Sequence, residues 1–161
     1  MLPAHSYLDM LHIPYTLANF SSSTPKGAAN VAIALRINEN QTVKTLIFST
    51  DKGEEVLVMV GSNKNVISGH LKKVVGSRNI KLANQDIVLE TTGYQIGSIP
   101  PFAWQPDGFR SFFDLELLNE KVLAVGAGVW GNEILISPLD LLKASSAIAV
   151  NLTNHELPIY I

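Results

Sequence analysis

The sequence predicts a mixed α/β (α+β) fold built on a strongly curved, largely antiparallel sheet. Three observations predict it. Short apolar runs with strand character recur along the chain. Helical segments fall between them irregularly, so no βαβ repeat emerges. No glycine-rich phosphate fingerprint of the open parallel folds is present. The 161 residues suit one domain, 1–161, with a sizeable core and no linker or internal repeat.

The elements follow in order. Residues 2–12 have helical spacing, with Leu2, Tyr7, Leu8 and Leu11 near one face. Tyr15 to Phe20 reads as a short strand. Thr24 before Pro25 predicts a helix start running to Ile37, a side-chain cap followed by a residue whose missing N–H does no harm there. The runs VKTLIFST and EEVLVMVG flank Asp51-Lys52-Gly53 and read as a hairpin. Asn65 to Val75 reads as a helix ended by Gly76, and Asn79 to Leu82 as a strand. Asn84 caps a helix to Thr91, stopped by Gly93. The stretch GYQIGSIPPFAWQPDG is an irregular loop. FRSFFD, EKVLAVGAG and NEILIS read as strands. Ser137-Pro138 repeats the cap-plus-proline start, and AIAVNL reads as a last strand.

Composition narrows the function. Hydrophobic residues make up 47% and charged residues 16%, which is globular rather than disordered. No run approaches the ~20 apolar residues of a membrane helix, and the N-terminus lacks signal-peptide character. A cytoplasmic location and no membrane partner are the expectations. Cysteine is absent, which excludes thiolate chemistry and disulfides. The net charge of -2 argues against a DNA-coating protein, so any nucleic-acid contact is local. One basic stretch offers it: between Asn63 and Lys81 lie Lys64, Lys72, Lys73, Arg78 and Lys81 with no acidic residue. A solvated helix face explains the same pattern.

Familiar catalytic sets are missing. His5, His12, His70 and His155 form no metal-ligand pair, and there is no HExxH, GxSxG or Walker motif. Three features remain. In VKTLIFS, strand alternation puts Lys44 on the face shared by Leu46 and Phe48. If that face is buried, the ammonium requires an anion, such as a substrate carboxylate or phosphate. An exposed face, or an amine reaching to its rim, resolves the conflict equally. The second feature is the loop with Gly93, Gly97, Pro100 and Pro101, where bare backbone meets rigid prolines. Phe102 and Trp104 follow and are expected as bulky pocket walls. The third is AVGAGVWGNE, with Gly126, Gly128 and Gly131, either a hairpin turn or a wall where a ligand lies against main chain.

At these residues the chain resembles the YbaK/ProX family of aminoacyl-tRNA editing hydrolases, over about Pro14 to Val150. The matching pieces are Val43-Lys44-Thr45-Leu46, Thr92-Gly93-Tyr94 with Gly97 to Pro101, Phe112-Phe113-Asp114, the turn Gly126 to Gly131, and Leu139 to Leu142. The resemblance implies a barrel-like sheet surrounded by helices. It also implies hydrolysis of the ester joining a wrong, small amino acid to the tRNA 3′ end, with no metal or organic cofactor. Lys44 is then the catalytic residue. Thr45, Gly97, Ser98, Pro101, Gly126 and Glu133 bind substrate, and Lys64, Lys72 and Lys73 meet tRNA. Glu133 and Asp114 are expected near the pocket, with a helix cap as the alternative for Asp114. The partners implied are the aminoacyl-tRNA acceptor end and an aminoacyl-tRNA synthetase. Members acting on cysteinyl-tRNA often carry serine at Gly126, aspartate at Glu133 and tyrosine near Phe20. This chain differs at all three, so alanine, serine or threonine is expected ahead of cysteine. A non-catalytic module that binds tRNA, an amino acid or a synthetase is the alternative.

Overall fold

The structure, a computed structural model, describes residues 1–160. Its strands form two sheets. A three-stranded antiparallel sheet has the order β1 (Thr16–Asn19), β7 (Asn132–Ile136), β6 (Leu123–Gly126). A five-stranded sheet has the order β4 (Ile80–Leu82), β2 (Val43–Thr50), β3 (Glu55–Gly61), β5 (Ser111–Asp114), β8 (Ile148–Val150). The β2–β3 hairpin and the β2–β4 pair are antiparallel, whereas β3–β5 and β5–β8 are parallel. A single parallel bridge, Thr42 to Ala124, joins the sheets. The expected single barrel-like sheet is therefore two sheets in contact, with no closed ring of hydrogen bonds among the described residues.

Five helices surround them: α1 (Pro3–Met10), α2 (Ala28–Leu35), α3 (Ser68–Val75), α4 (Gln85–Thr92) and α5 (Pro138–Ser145). The predicted caps form at two of them. Asn84 Oδ1 accepts from the Ile87 N–H at 2.9 Å and Ser137 Oγ from the Asp140 N–H at 3.2 Å. The predicted start at Thr24-Pro25 does not form. Gly27, at φ +122°, precedes α2 instead, and the Thr24 carbonyl accepts from the Trp130 indole at 3.0 Å.

The inner strands β3 and β5 are buried on both faces, and β3 is accordingly an unbroken apolar run. On one face Ile47, Leu57, Met59 and Phe113 meet the other sheet together with α1, α4 and α5. On the other face Val56, Val58, Val60 and Phe112 pack against Leu71 and Val75 of α3 and Leu152 of the tail. Leu46 and Phe48 pack on this second face, so the apolar face that carries Lys44 is the one covered by α3.

Candidate active site

Strand β4 pairs with β2 only at Phe48 to Thr50, and the Ala83 N–H reaches the Ile47 carbonyl at 2.9 Å. Beyond that point the edge of β2 is open. Alternation turns the N–H and C=O of Thr45 toward the same edge as those of Ile47. A cavity of ≈ 790 Å³ lies there, enclosed by β2, the start of α2, α4 and its following loop, and the β6–β7 turn. Lys44, Thr45, Gly97, Gly126, Trp130 and Glu133 are among its lining residues.

Lys44 is half-buried. Its Nζ donates to the Lys64 carbonyl at 2.8 Å, and no carboxylate pairs with it among the described residues. Burial holds its pKa below the usual lysine value. One donor is used, and the ammonium carries three. Thr45 borders the cavity, and its buried Oγ1 has no hydrogen-bond partner among the described residues.

Glu133 sits in the central strand of the smaller sheet. Its cross-strand partners are Ala18 on β1 and Gly126 on β6, both small. No hydrogen bond or ion pair reaches its carboxylate among the described residues, and burial alone pushes its pKa up to about 7. A carboxyl that titrates near neutrality inside a cleft is a mark of a working group.

The glycines shape this corner by letting main chain approach. A Cβ on Gly126 would lie 3.1 to 3.3 Å from the Ser98 and Ile99 main chain. Gly97 turns the loop at φ +93°. A Cβ on Gly128 would lie 2.7 Å from the Tyr94 ring. The loop is braced from behind, because the Pro100 carbonyl accepts from Trp104 Nε1 at 2.6 Å and the Pro101 carbonyl from Gln105 Nε2 at 2.9 Å.

Five sequence-predicted residues thus meet at one cavity: Lys44, Thr45, Gly97, Gly126 and Glu133. Ser98 and Pro101 are buried behind the loop and do not line it. Phe102 is a core residue stacked on Tyr7, and Trp104 packs on Phe109, so neither is a pocket wall. Asp114 is fully buried elsewhere, accepting from the Leu152 N–H at 2.9 Å and Thr153 Oγ1 at 2.6 Å. His5 stacks beside Tyr15 and His70 bonds the Asn151 carbonyl at 2.9 Å, both away from the cavity. Lys64 meets Glu116 at 3.6 Å, and Lys72 and Lys73 end α3. Lys26 and Trp130 border the cavity as well, although neither is among the residues the sequence singles out. The lone tryptophan at the tip of a glycine-rich hairpin was the available signal for Trp130. Lys26 had none.

An amine without a carboxylate partner, a near-neutral carboxyl and bare loop backbone thus border one cavity. The chain belongs to the aminoacyl-tRNA editing domain family, whose model matches residues 24–144. It is 24% identical over 145 residues to EbsC of Enterococcus faecalis, named as a candidate Cys-tRNA(Pro)/Cys-tRNA(Cys) deacylase, and the match covers 89% of this chain and 88% of that protein. It is 33% identical over 93 residues to a proline–tRNA ligase of Maridesulfovibrio salexigens, covering 58% of this chain. The chain spans only 16% of that ligase's length. The fold matches, with TM-score 0.84 and 24% identity, the crystal structure of a candidate trans-editing enzyme for prolyl tRNA synthetase, covering 94% of this chain and 95% of that one. The resemblance to YbaK/ProX proteins seen in the sequence is thereby borne out. No helix among the described residues is long and apolar enough to cross a membrane.

Proposed function

We propose that this protein hydrolyses the ester between a small, wrongly attached amino acid and the 3′-terminal ribose of tRNA. The observation that carries the reading is the pairing of Lys44 and Glu133 in one cavity, each without an oppositely charged partner. An aminoacyl-tRNA end supplies both partners, an α-ammonium for Glu133 and phosphate or ribose oxygens for Lys44. The ammonium then holds Glu133 ionised by mutual attraction.

Water attacks the ester carbon, and the carbonyl oxygen takes up negative charge. Lys44 and the donors at the Thr45 edge stabilise that charge because they are already in place. The new C–O bond comes from water. The ester C–O bond breaks, and a proton passes to the departing ribose oxygen. No side chain is positioned as a nucleophile, so the direct attack of water fits. Side chains and main chain suffice for this scheme without a metal or an organic cofactor.

A small amino acid fits because the wall beside Glu133 is main chain. The Ser98–Ile99 backbone lies against Gly126, and backbone yields less than a side chain does. The reading places the protein in the cytoplasm, with aminoacyl-tRNA as its substrate, a synthetase as a second partner, and no DNA. The test is the initial deacylation rate on one tRNA body charged with Ala, Ser, Thr, Cys, Pro or Phe. Faster turnover of Ala, Ser or Thr is expected. A preference for Phe overturns the small-pocket reading, and turnover of none overturns the hydrolase.

A further inference from the structure

The mouth of the cavity holds an aromatic and cationic pair that the ester chemistry does not use. Trp130 sits at the tip of the β6–β7 turn, where Gly131, at φ +101°, lets the Phe20 carbonyl approach to 2.9 Å of a would-be Cβ. The indole is held on several sides. Its Nε1 donates to the Thr24 carbonyl at 3.0 Å, and Phe20 meets it edge-on at 5.0 Å. With its only donor spent, Trp130 has a π-face and no hydrogen bond to offer. Lys26 is exposed and places Nζ 4.1 Å from the indole centroid. Among the described residues that ammonium has no carboxylate and no hydrogen-bond acceptor. From α4 and the loop after it, Leu89 and Ile96 also line the cavity while half exposed, at 48% and 50%.

The cavity volume adds a constraint. A small amino acid occupies only a fraction of ≈ 790 Å³, so much of the space is for another part of the ligand. The exposed apolar surface and the fixed indole suit a flat, weakly polar ring. The free ammonium suits an anion beside it.

We infer that Lys26 and Trp130 form a nucleotide subsite, in which Trp130 stacks on the terminal base of the acceptor strand and Lys26 takes an adjoining phosphate. Resting on the proposed hydrolase reading, this says which residues hold the leaving group. In the free protein the Lys26 ammonium lies over the indole. On binding it exchanges that face for a phosphate, and the base covers the ring. Stacking is tolerant of base identity, so the subsite grips the common 3′ end and leaves discrimination to the amino-acid corner.

Two measurements test it. The first is independent of catalysis. The trinucleotide 5′-CCA-3′, and the same strand with an abasic last position, are titrated against tryptophan fluorescence of the wild type and of Trp130→Phe. Saturable quenching by CCA, weakened by the abasic end and absent in the variant, is expected. Quenching unchanged in Trp130→Phe, or none in the wild type, overturns the subsite. The second is steady-state deacylation. Trp130→Ala should raise KM for aminoacyl-tRNA about tenfold or more, the scale of losing one base–aromatic stack, with kcat within about twofold. Trp130→Phe should recover part of it, and Lys26→Ala should flatten the salt dependence of KM. Hydrolysis of an amino-acid methyl ester should be unaffected. Equal loss on the methyl ester would mean that Trp130 only shapes the fold. Absence of turnover by the wild type would overturn the hydrolase reading, while the fluorescence titration would still decide the subsite.

Discussion

Two carboxyls border two cavities, Asp114 fully buried and Glu133 half-buried, and burial raises the pKa of both, yet their surroundings differ. Asp114 ends β5 beside a small space of ≈ 150 Å³ and accepts from the Leu152 N–H and Thr153 Oγ1. It ties the tail after β8 to the sheet. Glu133 faces ≈ 790 Å³ and accepts from nothing among the described residues. A buried polar group with its partners in place stabilises structure, whereas one left without them is costly unless something else arrives. The same distinction separates the lysines: Lys64 has Glu116, and Lys44 has only a carbonyl.

The largest effect expected from this contrast is at Lys44. Lys44→Ala removes the one preorganised positive charge beside the Thr45 edge. Deacylation should fall by about 100-fold or more, the scale of losing such a stabiliser, with the fold intact. Single-turnover rates on the best substrate, with circular dichroism as the folding check, decide it. A folded variant at wild-type rate removes Lys44 from the chemistry. Lys44→Arg should not restore the rate, since a planar fork does not replace a compact ammonium.

Glu133 offers the sharper test, because stability and activity should move in opposite directions. Its pKa is raised to about 7 from 4.5, so the folded protein holds a proton that the unfolded chain has released. Its stability cost is therefore absent below about pH 4.5, grows as pH rises toward 7, and is constant above. Glu133→Gln abolishes that dependence. Relative to wild type it should gain up to roughly 3 kcal/mol between pH 4.5 and pH 8, from the shift at about 1.36 kcal/mol per unit. Chemical denaturation at the two pH values measures this. The kcat/KM of the wild type, which reports the free enzyme, should rise with pH through about 7 as Glu133 ionises, and the variant should lose both the rise and most of the rate. Equal stability differences at both pH values would show that Glu133 is not buried as described.

Asp114 should behave the other way. Asp114→Ala leaves the Leu152 N–H without its partner, so a loss of about 1–3 kcal/mol is expected, the scale of an orphaned buried group. Among folded molecules the deacylation rate should hold. Urea denaturation with activity assayed well below the midpoint checks both. A variant of normal stability but reduced rate would collapse the contrast between the two carboxyls.

Much of this contrast was legible in the sequence, and the illegible part has a physical cause. Lys44 stood out because strand alternation set a charge among Leu46 and Phe48, and Gly97, Gly126 and Glu133 were drawn in by the family pattern. Local signals also gave the caps at Asn84 and Ser137, since a cap depends on neighbours in the chain. The same signal failed at Thr24. Its carbonyl is claimed by Trp130, a residue 106 positions away, and no local rule anticipates that. Phe102 and Trp104 misled for a related reason. Loop residues after two prolines read as pocket walls, but the loop turns them inward onto Tyr7 and Phe109. Which side of a loop faces a cavity is decided by tertiary packing.

The smallest expected effect concerns the basic end of α3, away from both cavities. Lys72 is half-buried and Lys73 exposed, in the last turn of the helix, where positive charge also suits the helix dipole. That favourable local role explains their presence without tRNA. If they also meet phosphates, Lys72→Ala with Lys73→Ala should weaken tRNA binding a few-fold. The slope of log affinity against log salt should flatten by about 0.7–0.9 per lost contact. Turnover of a minimal aminoacyl ester should be unaffected, because neither residue lines the cavity. The readout is a salt titration of tRNA affinity by filter binding. An unchanged slope assigns the pair to the helix dipole alone. It would leave Lys64, Arg78 and Lys81 of the same basic stretch, together with the lysines that line the large cavity, as the candidates for tRNA contact.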